Sequence, residues 1–448
     1  MKTTRRHSII TALAAVVLTT SCWTEHGINR PSYEPETYVP PYKVYGNTME
    51  ALGNNSIVIV EELGMMLYGA CVHEDPMANI FDGRIRAVDI ESGRTMWWFP
   101  PDTSIRNDDS FGTKFLIHGR YLVTISSPEP NLFTGGFYRM RSDVVCVDLV
   151  SGTETGRFEI PYYGMNATLN IGRLRNPVIH DGHVYFLGVN KSYRMTLYSA
   201  LLDDLTDVRS WEVPLSEGHA SHTAAADMAI LDDGRIVFGC RESPSTDDGN
   251  IYVADHYVCI FDPVTSDISK IFVHRTEGFS DFIDRIVSHN GRIYALCTGY
   301  LCCIDPDTGT QLWHDDRGRG PFSNCLDFWM DVLSGSRVVS TSCHDMSIYS
   351  CDGHLYDRYT NSGKIFIEHR GYTYVIDRGG DLLVMGPTGN VLDSLAGRGP
   401  WGSYADAITI SDDKLYLSTG YDIYCFPTYP WERVTVPADT QRHYQHNN

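Results

Sequence analysis

The sequence predicts an all-β fold, an eight-bladed β-propeller with four-stranded antiparallel blades, on three observations. A turn followed by a short apolar strand recurs eight times between residues 64 and 417. An Asp-led turn with a Trp eight residues beyond the Asp recurs among these copies. The 448-residue chain carries 39 Gly and 27 Tyr with few long helical patterns, as expected of many short strands joined by turns. A seven-bladed ring is the alternative, with one weak copy serving as an outer strand.

Residues 1–21 read as an export signal. Met1–Arg6 is basic and Ser8–Leu18 is apolar but too short to span a bilayer. Thr19, Thr20 and Ser21 then bring small residues up to Cys22. The arrangement resembles a bacterial lipoprotein signal, which implies cleavage before Cys22 and a lipid on its thiol. Thr19 stands where Leu is commonest in such signals, and an ordinary secretory signal with an incidental Cys is the other reading. Both put the mature chain outside the cytoplasm, and no later apolar stretch is long enough for a spanning helix. Residues 22–50 are rich in Pro, Tyr and charge and read as an extended tether. The propeller is expected over 51–436, followed by a polar tail at 437–448.

The first repeat pattern is clearest at Gly64–Tyr68, Gly119–Val123, Gly182–Phe186, Gly234–Phe238 and Gly291–Ala295. Weaker copies follow at Ser336–Ser340, Gly371–Val375 and Asp413–Leu417. The second pattern is Asp89, Gly93, Trp97, repeated as Asp305, Gly309, Trp313. Asp203 and Trp211 keep the separation, although Asp207 replaces the Gly. Asp148 with Gly152, and Asp262 with Pro263, keep the turn without the Trp. Cys351–Gly353, Gly386–Gly389 and Pro427–Pro430 are further degraded.

Each part of this unit has a physical role. Asp accepts backbone hydrogen bonds in the turn and Gly supplies positive φ. A Trp at fixed offset can lie between adjacent sheets, burying apolar area and donating its indole N–H to a neighbouring carbonyl. A four-stranded sheet with two apolar faces needs a neighbour on each side, and closing the series into a ring gives every sheet both.

The Ala-x-Asp-x-x-Ser/Thr-Gly-x-x-x-Trp pattern around Trp97, Trp211 and Trp313 resembles the tryptophan-docking repeat of the pyrroloquinoline-quinone (PQQ)-like, eight-bladed β-propellers. The resemblance covers about residues 50–436 and implies structural docking by Asp89, Gly93, Trp97, Asp203, Trp211, Asp305, Gly309 and Trp313. It also implies two kinds of function. Some members are quinoprotein dehydrogenases that bind PQQ and calcium over the central channel. Others are BamB-like lipoproteins that scaffold outer-membrane β-barrel assembly.

The motifs for cofactor chemistry are thin. Cys302-Cys303 is a vicinal pair of the kind some quinoproteins set against the cofactor. It lies within a strand, where successive side chains point to opposite faces, so two apolar core residues are the expectation. No Cys-x-x-Cys-His for attached haem is present. With Cys22 lipidated, eleven of the 12 Cys remain, an odd number against full pairing, with one or two disulfides allowed. His219, His222 and Asp227 could ligate a metal on a helix, but Gly218 and a strand beginning near Met228 argue for a loop. His73–Asp75 and Asp247–Asn250 read as solvated acidic turns, the latter lacking the alternating oxygens of a calcium loop. The expectation is therefore no metal and no cofactor.

Two loops carry more apolar surface than a connection needs: Tyr162 and Tyr163 after the second repeat, and Trp401 and Tyr404 before the eighth. On one rim they would form a surface for a partner protein or a glycan; covering the sheet ends is the plainer alternative. The 36 Lys+Arg against 56 Asp+Glu give a net charge of −20, which excludes phosphate-backbone binding as the main role. The expected function is a non-enzymatic, lipid-anchored envelope scaffold that binds a protein partner, at the outer membrane in preference to the inner, facing the periplasm or the cell surface. A propeller enzyme, quinoprotein or carbohydrate-active, and a glycan-binding module are the alternatives.

Overall fold

A computed structural model describes residues 43–45, 57–71, 83–101, 115–126, 142–160, 177–189, 192, 194–244, 253–277, 283–297, 300–316, 329–333, 337–341, 345–360, 365–377, 381–387, 390–395, 407–418 and 423–431. These form eight four-stranded antiparallel sheets, each made of strands consecutive in sequence except at the closure. Blades one to seven occupy residues 57–99, 115–160, 178–212, 219–277, 283–316, 329–360 and 365–395. From blade two round through blade eight to blade one, the first strand of each blade neighbours the first strand of the next, so the first strands line the central channel. The ring has eight blades, not seven.

Blade eight closes the ring. Its three inner strands come from residues 407–427, and the fourth is Lys43–Tyr45, antiparallel to Ile423–Pro427 with Lys43 opposite Cys425. These three residues lie inside the 22–50 segment expected as a tether, so the folded body begins earlier than residue 51. The contact between Ile57–Val60 and Ala407–Ser411 completes the circle.

Apolar clusters fill the gaps between successive sheets, as two-faced apolar strands require. Met65, Leu67, Ala87 and Trp97 of blade one pack on Leu122, Val145 and Val147 of blade two. Similar clusters join blades three to four and five to six.

The repeat unit proves to be shared between blades. The indole of Trp97 donates to the Leu149 carbonyl of blade two at 2.9 Å, and Trp313 donates to the Cys351 carbonyl of blade six at 2.8 Å. Gly152 and Gly353, at φ 68° and 85°, sit directly against these rings, where a Cβ would come within 2.6 and 2.5 Å of an indole carbon. The Gly in each of these turns is thus fixed twice, by the left-handed backbone and by the preceding blade's Trp. Within each turn the Asp acts as expected: Asp89 accepts from the Ser92 amide at 2.6 Å, and Asp305 from the Thr308 amide at 3.0 Å.

Asp203 departs from the pattern. Trp97 and Trp313 lie opposite Ala87 and Cys303, two residues before Asp89 and Asp305. Trp211 lies opposite Leu197, six residues before Asp203, because the pairing shifts between Ala200 and Leu201. Asp204 caps this turn, accepting from the Thr206 amide at 3.0 Å, while the Asp203 side chain lies near Tyr121 of blade two and raises its hydroxyl. The eight-residue separation from Trp211 is a coincidence of spacing. Trp211 instead meets Phe261 of blade four, 4.6 Å between ring centres.

The connections sort onto two faces. Hairpins between first and second strands and between third and fourth strands are short and share one end, the turn face. Links between second and third strands, and from blade to blade, open on the other end, the loop face.

Candidate functional site

Blade four stands above its neighbours. Its strands His219–Ile230, Ile236–Pro244, Val253–Phe261 and Ile268–Glu277 have 12, 9, 9 and 10 residues, against 7, 6, 5 and 6 in blade five. The hairpins fix the turn-face ends, so the surplus projects from the loop face, by about 10 Å for three residues. The strand beginning at His219 replaces the loop expected around 217–222. Register shifts between His219 and Met228 absorb its extra residues as bulges.

The projecting ridge holds a network of charges. Glu242 is fully buried and pairs with Lys270. The same ammonium donates to the Pro214 carbonyl at 2.9 Å and contacts the Ser216 hydroxyl at 2.7 Å, while lying 4.3 Å from the centre of the Tyr257 ring. The Ser216 amide donates to Glu242 Oε2 at 3.2 Å. Arg275 grips Asp255 through two bonds of 2.6 and 2.7 Å, and His219 Nε2 lies 2.9 Å from Asp255 Oδ2. Bonds from the Arg275 guanidinium hold the Asp255 carboxyl below its ordinary range, against the opposing effect of burial. Burial foremost raises the Tyr257 hydroxyl. Glu242 and Asp255, the buried carboxylates of this network, each have a cation beside them, which keeps the ridge in one geometry.

His219 and Asp227, read together as candidate ligands, serve different sites. Asp227 is buried on the channel strand, accepts from the Ile286 amide at 3.3 Å and lies 3.2 Å from Arg285 Nη1 of blade five. Arg285 Nε in turn donates to the Met330 carbonyl of blade six at 3.3 Å. Beside Met330 stands Asp331, whose Oδ1 accepts from the Val332 amide at 2.8 Å. Burial raises the Asp331 carboxyl above its usual range, Arg285 partly opposes this, and Asp227 adds to it. Across the gap to blade seven, Glu368 pairs with Arg337 at 3.0 Å. A cleft of about 400 Å³ opens between these two channel strands. Among the described residues, no group of three or more His, Cys, Asp and Glu side chains is arranged to hold a metal ion.

The vicinal cysteines do not suit a channel cofactor. Cys302 and Cys303 are fully buried in the third strand of blade five, away from the channel. Cys302 packs between blades four and five, and Cys303 between blades five and six. Both are free thiols, and burial pushes Cys303 up to about 11. A disulfide laid against a quinone does not fit side chains that point into opposite cores. Cys146, Cys240, Cys259, Cys297, Cys351 and Cys425 are free thiols as well.

Cys22, Tyr162, Tyr163, Trp401 and Tyr404 lie outside the described residues. The strand ends flanking the two aromatic segments, Ile160 and Val178, Leu395 and Ala407, all open on the loop face. The sequence reading missed Glu242, Lys270, Asp255, Arg285, Asp331 and Glu368. Asp331 had a detectable signal: its counterparts two residues before the first hairpin are Leu116, Val178, Val287 and Ile367.

Among solved structures, the chain resembles BamB from Moraxella catarrhalis at 13% identity and a TM-score of 0.51, over 86% of this chain and 97% of that one. It resembles the quinohemoprotein alcohol dehydrogenase from Comamonas testosteroni at 10% identity and a TM-score of 0.55, over 90% of this chain and 78% of that one. The computationally designed Ika8 protein matches at 14% identity and a TM-score of 0.50, over 85% and 99%. The fold is that of the PQQ-like β-propellers. At these identities the likeness is one of fold alone. No family profile matches the sequence, and no curated protein matches it.

Proposed function

We propose that this protein is a non-enzymatic, lipid-anchored scaffold of the cell envelope that binds a protein partner through its loop face. The observation that carries the reading is the blade-four ridge. It projects from that face as a stiff sheet whose buried Glu242 and Asp255 are each tied to a cation, which suits a fixed recognition surface better than a proton-transfer site.

The closure of the ring supports the same face. Lys43–Tyr45 runs from the turn-face side towards the loop-face side. A chain arriving from a lipidated Cys22 would therefore join the ring on the turn-face side, leaving the loop face clear of the point of attachment. The fold likeness to BamB agrees with a scaffold role by analogy.

The test is purification of the protein from membranes, with photo-crosslinkers at Glu217 on the loop face and Val264 on the turn face, both exposed. The expected result is a recurrent envelope protein crosslinked from Glu217 and not from Val264, together with loss of membrane association in Cys22→Ala. A stoichiometric quinone in the purified protein, or crosslinks only from Val264, would overturn the reading.

A further inference from the structure

The eight blades are repeats, so each channel strand serves as a control for the others. Counting back from the first hairpin, the position two residues before the last paired one faces the next blade and holds an apolar residue in blades one, two, three, five and seven (Val58, Leu116, Val178, Val287 and Ile367) and the uncharged Thr409 in blade eight. All five apolar side chains pack in the cluster shared with the following blade. Blade six has Asp331 there. One position further on, strands face the previous blade with Ile59, Ile117, Ile179, Val332 and Ile410, and blade five has the uncharged Ser288. Blade seven has Glu368 there. The two departures meet across one interface, and the cleft opens between them.

The charges of this cleft do not balance. Glu368 is neutralised by Arg337 at 3.0 Å, and that guanidinium is further held by the Pro387 carbonyl. Arg285 is engaged with Asp227 and the Met330 carbonyl. His369 and Arg370 also line the cleft but are drawn onto Asp413 of blade eight, which leaves Asp331 without a counter-charge. Asp331 has a backbone amide on Oδ1 and no ion pair within 4 Å among the described residues. A mostly buried carboxylate without a counter-charge is costly and attracts a cation. Beside the two carboxyls, Leu333 and Phe366 pack in the apolar cluster between blades six and seven.

We propose that this cleft binds a small organic ammonium, its charged nitrogen on Asp331 and Glu368 and its apolar body on Leu333 and Phe366. The oxygens are too few for calcium, which takes six to eight, and one carboxyl is already engaged. A volume of about 400 Å³ suits a small ligand, within the ~300–1,000 Å³ of such sites. The site sits beside the first hairpins, towards the turn face, and so is separate from the proposed partner surface.

Calorimetric titration of the full chain with phenethylammonium, and with neutral 2-phenylethanol of the same shape, tests this. The expected result is binding of the ammonium with little binding of the alcohol, and at least tenfold weaker ammonium binding in Asp331→Asn, an isosteric change. Phe366→Leu keeps both carboxyls and removes the ring, and is expected to weaken phenethylammonium several-fold. Equal binding of the two probes, undiminished binding in Asp331→Asn, or no binding to the wild type would overturn the proposal.

Discussion

Trp97 of blade one lies on Gly152 of blade two and donates its indole N–H to Leu149, also of blade two. Trp313 of blade five repeats the relationship with Gly353 and Cys351 of blade six. Each adds a directed hydrogen bond to the apolar packing between its two sheets. Trp97→Ala or Trp313→Ala is expected to destabilise the protein by about 3–5 kcal/mol, from lost burial and the cavity left behind. Chemical denaturation measures this, and a loss below about 1 kcal/mol at both sites would refute the docking role.

The same geometry makes Gly152 and Trp97 interdependent. Gly152→Ala meets both a positive φ and a Cβ position 2.6 Å from the indole. In the wild type it should cost well over the roughly 1 kcal/mol of an unfavourable backbone conformation. In a Trp97→Ala background the overlap is gone and only that backbone cost should remain. Additive losses in this double-mutant cycle would show that the two residues do not touch.

On the ridge, Lys270→Met leaves Glu242 buried without its counter-charge. The expected destabilisation is about 3–5 kcal/mol. Adding Glu242→Leu removes the stranded carboxylate and should recover most of it. A thermal melt of the single and double variants decides the matter: a double variant no more stable than Lys270→Met would mean that the pair does not account for the effect.

Asp331 gives a pH signature of defined sign. Its carboxyl is raised by burial in the folded protein above the unfolded value near 3.9. Such a group favours the folded state below the unfolded pKa, and that benefit is lost as pH rises through the folded pKa. Asp331→Asn should therefore be more stable than wild type at pH 7, by about 1.4 kcal/mol for each unit of elevation. The advantage should vanish near pH 3. A pH-independent difference between the two proteins would contradict the assignment.

How much was legible in the sequence follows from the range of each interaction. The strands and turns were readable because alternation, Gly and Asp act within a few residues. Blade six looked degraded at Cys351–Gly353 because its partner, Trp313, lies in the preceding blade; the Gly persists for that neighbour's ring. Asp203 misled because a shifted register moved the cap to Asp204 without changing the distance to Trp211. The charged sites escaped because Lys270 finds Glu242 across two strands, and Asp331 meets blade seven only through the ring. Aligning the channel strands would have exposed Asp331 and Glu368 as carboxyls at otherwise uncharged positions. Nothing comparable marked Lys270, whose neighbours along the chain are those of an ordinary outer strand.

The pairing of Lys43–Tyr45 with Ile423–Pro427 also sets an order of events in time. The first strand of the body to leave the ribosome is the last to find its partner, about 380 residues later. At roughly 5–20 residues per second, that strand waits on the order of half a minute even when synthesis is uninterrupted. Blades one to seven can form from local hairpins as they appear, while the first and eighth each keep one face uncovered until the ends meet. The three-residue strand is thus a clasp, fastened only when essentially the whole protein has been made.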